Sequence, residues 1–172
     1  MKILTRHIAD HDFLWLIRQV ISSFHSGRSG IGLPLGNLTS QLLVNVYMHE
    51  FDMFMKQELH VKYYIRYADD FAILSDDVSY LQNLIPKIEA FLRERLHLNL
   101  HPDKVYIATY TSGVDFLGWI HFPYHRQIRT STKRKIIKNL ARYPKPKTVL
   151  SYRGLLDHGD TYFLKKRLGM VM

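Results

Sequence analysis

The sequence predicts an α+β fold, and three observations carry that reading. Apolar residues recur at helical spacing in two long stretches near the N-terminus, give way to alternation over residues 61–74, and return to helical spacing in a basic C-terminal third. Helices, a hairpin, a helix, two strands and then basic helices follow in that order. The two kinds of element are grouped, not interleaved as in a βαβ chain.

The first helix is expected over 13–24, where Phe13, Leu14, Ile17, Val20, Ile21 and Phe24 share a face and Asp10 or Asp12 can cap it. His25 to Gly36 reads as a loop, with four glycines and Pro34. A long helix should run from Asn37, a good N-cap, to about Leu59, with Leu38, Leu42, Val46, Phe51 and Phe54 facing the core. Tyr63, Ile65 and Tyr67 then alternate with Tyr64 and Arg66. Ala68-Asp69-Asp70 separates that run from Phe71-Ala72-Ile73-Leu74, which is the pattern of a tight hairpin. Asp76 or Asp77 can cap the next helix, whose face is Leu81, Leu84, Ile85, Ile88, Phe91 and Leu92. Pro86 inside it predicts a kink or a late start. Lys104–Tyr110 and Val114–Phe122 read as two strands turned at Thr111-Ser112-Gly113. From Ser131 a helix carries Ile136, Ile137, Leu140 and Tyr143. Pro144 and Pro146 separate it from a last helical stretch broken by Gly154 and Gly159. No internal repeat or low-complexity segment is present.

Composition narrows the class of function. With 47% apolar and 13% aromatic residues in 172, the chain can build a core and is not a disordered tail. No run of 18 apolar residues predicts a membrane span, and the acids in MKILTRHIADHD do not suit a signal peptide. Zero cysteines exclude disulfides and thiolate metal sites and fit a cytoplasmic protein. His121 and His125 have a zinc-like spacing, but Pro123 interrupts any helix between them and no further ligands stand nearby. The net charge of +9 is uneven: residues 1–100 carry ten Lys/Arg against eleven Asp/Glu, whereas residues 101–172 carry fourteen against four. Such a basic half predicts a polyanionic partner, and nucleic acid fits best.

Asp69 and Asp70 are the candidate chemical centre. Aspartate is common at turns because it bonds locally to the backbone, but here β-rich strands flank the pair and make a rigid mount. Carboxylates suit Mg2+, and phosphoryl transfer uses ions held about 3.5–4 Å apart.

Tyr67-Ala68-Asp69-Asp70 between two β runs resembles the Tyr-x-Asp-Asp motif of reverse transcriptases. The neighbouring motifs agree in order and spacing. Gly32-Leu33-Pro34-Leu35-Gly36-Asn37-Leu38-Thr39-Ser40-Gln41 resembles the family's nucleotide-facing loop and following helix. Asn99-Leu100-His101-Pro102-Asp103-Lys104 resembles the segment with a lysine near the triphosphate. Phe116-Leu117-Gly118-Trp119 resembles the primer grip, and Ser151–His158 the closing thumb segment. The resemblance implies a right-hand polymerase palm, an antiparallel sheet with packed helices, plus a helical thumb. Residues 1–26 would be helices joining a first palm strand, 27–122 the palm, and 123–172 a basic thumb. It implies catalysis by Asp69, Asp70 and Lys104, with two Mg2+ on Asp69 and Asp70 and Mn2+ as a substitute. Gly32, Pro34, Leu35, Gly36, Ser40, Gln41 and Tyr67 would contact the nucleotide. Phe116, Leu117, Gly118, Trp119, Lys133, Arg134, Lys135 and Lys138 would contact primer and template. The implied partners are an RNA template, a DNA or RNA primer and dNTPs, with no membrane.

Leu35-Gly36 and Ser40-Gln41 are similar to the reverse transcriptases of diversity-generating retroelements, which copy RNA with errors at adenines beside a small basic accessory protein; a group II intron, retron or defence-type bacterial enzyme is the alternative. The family's first catalytic aspartate and its fingers precede the helices that Met1–Phe24 resemble. The expectation is therefore an N-terminally truncated enzyme, fingers missing, inactive as an isolated chain. A non-catalytic RNA or primer–template binding remnant is the alternative. A Mg2+ nuclease is disfavoured, since no general base stands beside Asp69 and Asp70.

Overall fold

The computed structural model describes residues 1–23 and 38–170. The expected loop over His25–Gly36, its helix cap Asn37, and Phe24 lie outside them. The fold is α+β with antiparallel strands, as the patterning predicts. The chain packs as two compact units, Met1–Val105 and Tyr106–Met172. That packing boundary lies upstream of the 122/123 border drawn between palm and thumb from the sequence.

In the first unit, helix α1 spans His11–Ser22 and is capped by Asp10, whose carboxylate accepts from the Asp12 and Phe13 amides. None of its residues is fully buried. Helix α2 spans Leu38–Met53, and its last turn widens over Phe54–Glu58, where the Leu59 amide bonds the Phe54 carbonyl. Its core residues are Leu43, Met48, Phe51, Phe54 and Met55. The expected inward residue Leu42 is 62% exposed instead, because α2 is apolar on several faces and periodicity alone does not fix its phase.

Strands β1 (Tyr63–Tyr67) and β2 (Asp70–Leu74) form the predicted hairpin, in register from Tyr63↔Leu74 to Tyr67↔Asp70. Asp77 caps α3 (Val78–Leu96). The helix starts on time and runs past Pro86. Pro86 and Gln82 are both on the exposed side, so the carbonyl that proline leaves without a helix partner faces water. Leu84, Ile88, Phe91, Leu92 and Leu96 meet Met48, Phe51, Phe54, Met55 and Val61 in one core, with Tyr64, Phe71 and Ile73 of the hairpin packed on it. Phe54 and Phe91 stack at 4.0 Å.

The expected strand over Lys104–Tyr110, most of which falls in the second unit, is absent. Those residues are exposed, with Tyr110–Ser112 forming a tight 3-10 turn. The stretch read as one strand over Val114–Phe122 is a hairpin: β3 (Val114–Phe116), a Leu117-Gly118 turn, and β4 (Trp119–His121). Strand β5 (Arg126–Ile128), unpredicted, completes a three-stranded antiparallel sheet in the order β3-β4-β5. Three helices follow: α4 (Thr130–Arg142), α5 (Pro146–Leu156) and α6 (Tyr162–Arg167). Gly154 lies inside α5, not at a break, whereas Gly159 does fall between α5 and α6. Ile136, Leu156, Leu164 and Met170 form the core of this unit.

Candidate active site

The β1–β2 hairpin places Asp69 in the two-residue turn and Asp70 at the first position of β2, both exposed. Directly opposed residues of an antiparallel pair share a face. Tyr67 and Asp70 therefore lie on the face of Ile65 and Ala72, while Tyr64, Phe71 and Ile73 on the other face pack against α2 and α3. The hairpin is thus backed by a core on one side and leaves Tyr67, Asp69 and Asp70 free on the other. Ala68 makes the turn at φ +53°, a left-handed conformation that two-residue hairpin turns need and that glycine usually supplies.

Behind this turn lies a polar network that sequence reasoning missed. Arg66 grips Asp52 of α2 with both arms, Nε to Oδ1 at 2.7 Å and Nη2 to Oδ2 at 2.6 Å. The Tyr64 hydroxyl donates to the same carboxylate at 2.7 Å. Burial acts to raise the Asp52 pKa, but the hydrogen bonds from Arg66 and Tyr64 and the Arg66 charge outweigh it and hold it below the ordinary value. Burial, reinforced by the bond to Asp52, pushes the Tyr64 phenol up. The one available signal was the spacing of Asn45 and Asp52, seven residues apart on a helix, with Arg66 before the turn.

Asp69 and Asp70 offer accessible oxygen donors, the chemistry a hard divalent cation takes, and they fill only part of its shell. Among the described residues no group of three His, Cys, Asp or Glu gathers into a ligand set. Ser40 is buried on α2, Gln41 beside it is exposed, and Gly32, Pro34, Leu35 and Gly36 lie outside the described residues. Lys104 ends the exposed turn Pro102–Lys104. No hydrogen bond or ion pair among the described residues joins it to Asp69 or Asp70.

The remaining candidates belong to the second unit. Leu117 and Gly118 both have positive φ, +54° and +83°, and Leu117 projects from the hairpin tip as an exposed side chain. Phe116 is half-buried, and Trp119 is buried at 7% exposure, with Arg126 over its ring at 5.4 Å. The exposed part of this motif is therefore Leu117-Gly118. Lys133, Arg134, Lys135 and Lys138 are all exposed on α4, whose Ile136 points into the core. Residues 106–172 carry thirteen Lys/Arg against three Asp and no Glu. No described helix is long and apolar enough to cross a membrane.

The family model for reverse transcriptase (RNA-dependent DNA polymerase) matches residues 2–121, which include the β1–β2 hairpin and the β3–β4 turn. Protein YkfC of Escherichia coli (strain K12) is 26% identical over 188 aligned residues, covering 86% of this chain and 47% of that protein. The chain thus spans about half the length of that relative. With the matched stretch exceeding half of its residues, and Tyr67-Ala68-Asp69-Asp70 at a hairpin turn within it, this chain belongs to the reverse transcriptase (RNA-dependent DNA polymerase) family.

Proposed function

We propose that the chain is the palm and thumb of an RNA-directed DNA polymerase, extending a DNA or RNA primer with dNTPs on an RNA template. The observation that carries this reading is the exposed Asp69-Asp70 pair on a core-backed hairpin, inside the stretch that the family model matches. Asp69 and Asp70 would hold two Mg2+ ions, or Mn2+ in their place, which supply charge neutralisation of the triphosphate when bound.

The chain's own residues do the rest. Tyr67 shares the exposed face with Asp70 and flanks the nucleotide. Ser40 and Gln41, with Gly32, Pro34, Leu35 and Gly36, shape the nucleotide's other side. Lys104 stabilises charge on the departing pyrophosphate. Phe116 and Trp119 anchor the β3–β4 tip, so that Leu117 and Gly118 meet the primer backbone. Lys133, Arg134, Lys135 and Lys138 neutralise phosphates. Residues 1–26 connect to a first palm strand, 27–122 act as palm, and 123–172 as thumb.

Asp69 and Asp70 fill only part of a two-ion shell, and the resemblance implies one further carboxylate, on a first palm strand, beside them. Leu35-Gly36 and Ser40-Gln41 favour the diversity-generating retroelement type, in the cytoplasm beside a basic accessory protein. A second reading, a primer–template binding remnant without catalysis, rests on the positive charge of residues 106–172 alone.

The two readings part on one experiment. In a completed enzyme, Asp69→Asn and Asp70→Asn should each remove Mg2+-dependent dNTP incorporation while a mobility-shift assay shows unchanged primer–template binding. Incorporation unaffected by both changes would refute the polymerase reading of this site.

A further inference from the structure

Arg66 stands on β1 two residues before the Ala68-Asp69 turn, its side chain 10% exposed. Its guanidinium is engaged on three sides. Beyond the two-armed grip on Asp52, Nη1 donates to Asn45 Oδ1 at 3.2 Å and to the Ala68 carbonyl at 2.7 Å. Asn45 and Asp52 are two turns apart on α2 and share a face. One face of α2 thus fixes the guanidinium, and the guanidinium fixes the backbone of the turn.

The group it holds is the one that needs holding. Ala68 sits at φ +53°, where an L side chain crowds its own backbone. A peptide unit is planar, so anchoring the Ala68 oxygen anchors the Asp69 amide and, through it, the Asp69 Cα. A planar fork can bind a carboxylate with two nitrogens while the third reaches a carbonyl, whereas a lysine ammonium is a single point charge.

We infer that Arg66 is a positioning residue: locked by Asp52 and Asn45, it holds the Ala68–Asp69 peptide in its left-handed turn and so presets the Asp69-Asp70 pair for a divalent cation. The inference rests on the metal role proposed above for that pair. Groups that orient metal ligands commonly alter affinity about 10- to 100-fold when changed.

The test uses the full chain, labelled with 13C and 15N, with Arg66→Lys, Asp52→Asn and Asn45→Ala. Asp115→Asn, which breaks an ion pair with Arg129 in the other unit, is the control. Two quantities are read: the backbone shifts of Ala68 and Asp69, and the Mn2+ affinity that disappears in an Asp69→Asn/Asp70→Asn double variant. In Arg66→Lys and Asp52→Asn the Ala68 and Asp69 resonances should move or broaden while those of Tyr63–Ile65 and Ala72–Leu74 stay. Mn2+ affinity should fall about 10-fold. Asn45→Ala, which removes only one long hydrogen bond and keeps the fold, should displace the same resonances by less, and the control should change neither quantity. Parent-like Ala68 and Asp69 shifts in the folded variants overturn the inference, as does parent-like Mn2+ affinity. If the resonances move but the parent takes up no Mn2+ at Asp69 and Asp70, the backbone clamp stands and the metal reading of the pair falls.

Discussion

Trp119 packs directly on the backbone of Gly159: a Cβ built there would lie 2.2 Å from Trp119 Cζ3 and 2.9 Å from the Arg126 carbonyl oxygen. The tryptophan of the β3–β4 hairpin is thereby fixed by the segment linking α5 to α6. The Asp160 amide bonds the Arg126 carbonyl beside it at 2.9 Å.

Two glycines should consequently respond to alanine with opposite signs. Gly159→Ala forces Trp119 or the β5 backbone to move and should cost about 1–3 kcal/mol. Gly154, inside α5 with nothing within 4 Å of an added Cβ, should gain about 0.5–1 kcal/mol as alanine. Urea unfolding of both variants checks the pair, and a loss at both positions would mean that α5 is not helical at Gly154.

Leu117 gives a second stability prediction. It holds φ +54° with its side chain exposed, so Leu117→Gly should stabilise the second unit by about 1 kcal/mol. Gly118→Ala, at φ +83° with its nearest neighbour 3.6 Å away, should lose about as much from backbone strain alone. Thermal unfolding measures both.

The Asp52–Arg66 pair should make the first unit acid-sensitive. Asp52 titrates below its ordinary value in the folded chain. Its unfolded carboxyl titrates near about 3.9, so the stabilisation is complete above that pH and is lost as pH falls through the folded value. Asp52→Asn should cost about 1–2 kcal/mol at pH 7. Melting parent and variant between pH 7 and pH 3 should show the gap closing toward the acid end. A gap that widens in acid would reverse the assigned direction.

Nucleic-acid affinity should follow the charge of the second unit. Each phosphate that the protein no longer neutralises lowers the slope of log K against log salt by about 0.9 on duplex. Replacing Lys133, Arg134, Lys135 and Lys138 with Gln should flatten it by roughly 2–4 if most of them touch phosphates. An unchanged slope would make this face of α4 an ordinary solvated surface.

The candidate site was legible in sequence where local physics dictates it. The two-residue alternation through Tyr63–Tyr67 and the polar Ala68-Asp69 break set the hairpin, and the acids before α3 marked its start. What the sequence hid depends on distant partners. Val105, Tyr106 and Ile107 have strand-forming side chains, but a strand needs a neighbour to pair with and this one has none among the described residues. Leu42 and Leu43 are equally apolar, and only tertiary packing decides that Leu43 is buried while Leu42 is exposed. Arg66 looked like one more polar position of a half-buried strand. Its partners Asp52 and Asn45 lie 14 and 21 residues away, and no spacing rule joins a helix face to a strand at that distance.

The most direct measurement is RNA-templated primer extension with Mg2+, using the chain joined to a segment that bears a strand aspartate. The joined form should extend the primer, and Asp69→Asn or Asp70→Asn should each slow it about 1,000-fold, the factor that about 4 kcal/mol of lost charge stabilisation implies. Extension by the joined form that survives both substitutions would contradict the assignment of Asp69 and Asp70 as the catalytic carboxylates.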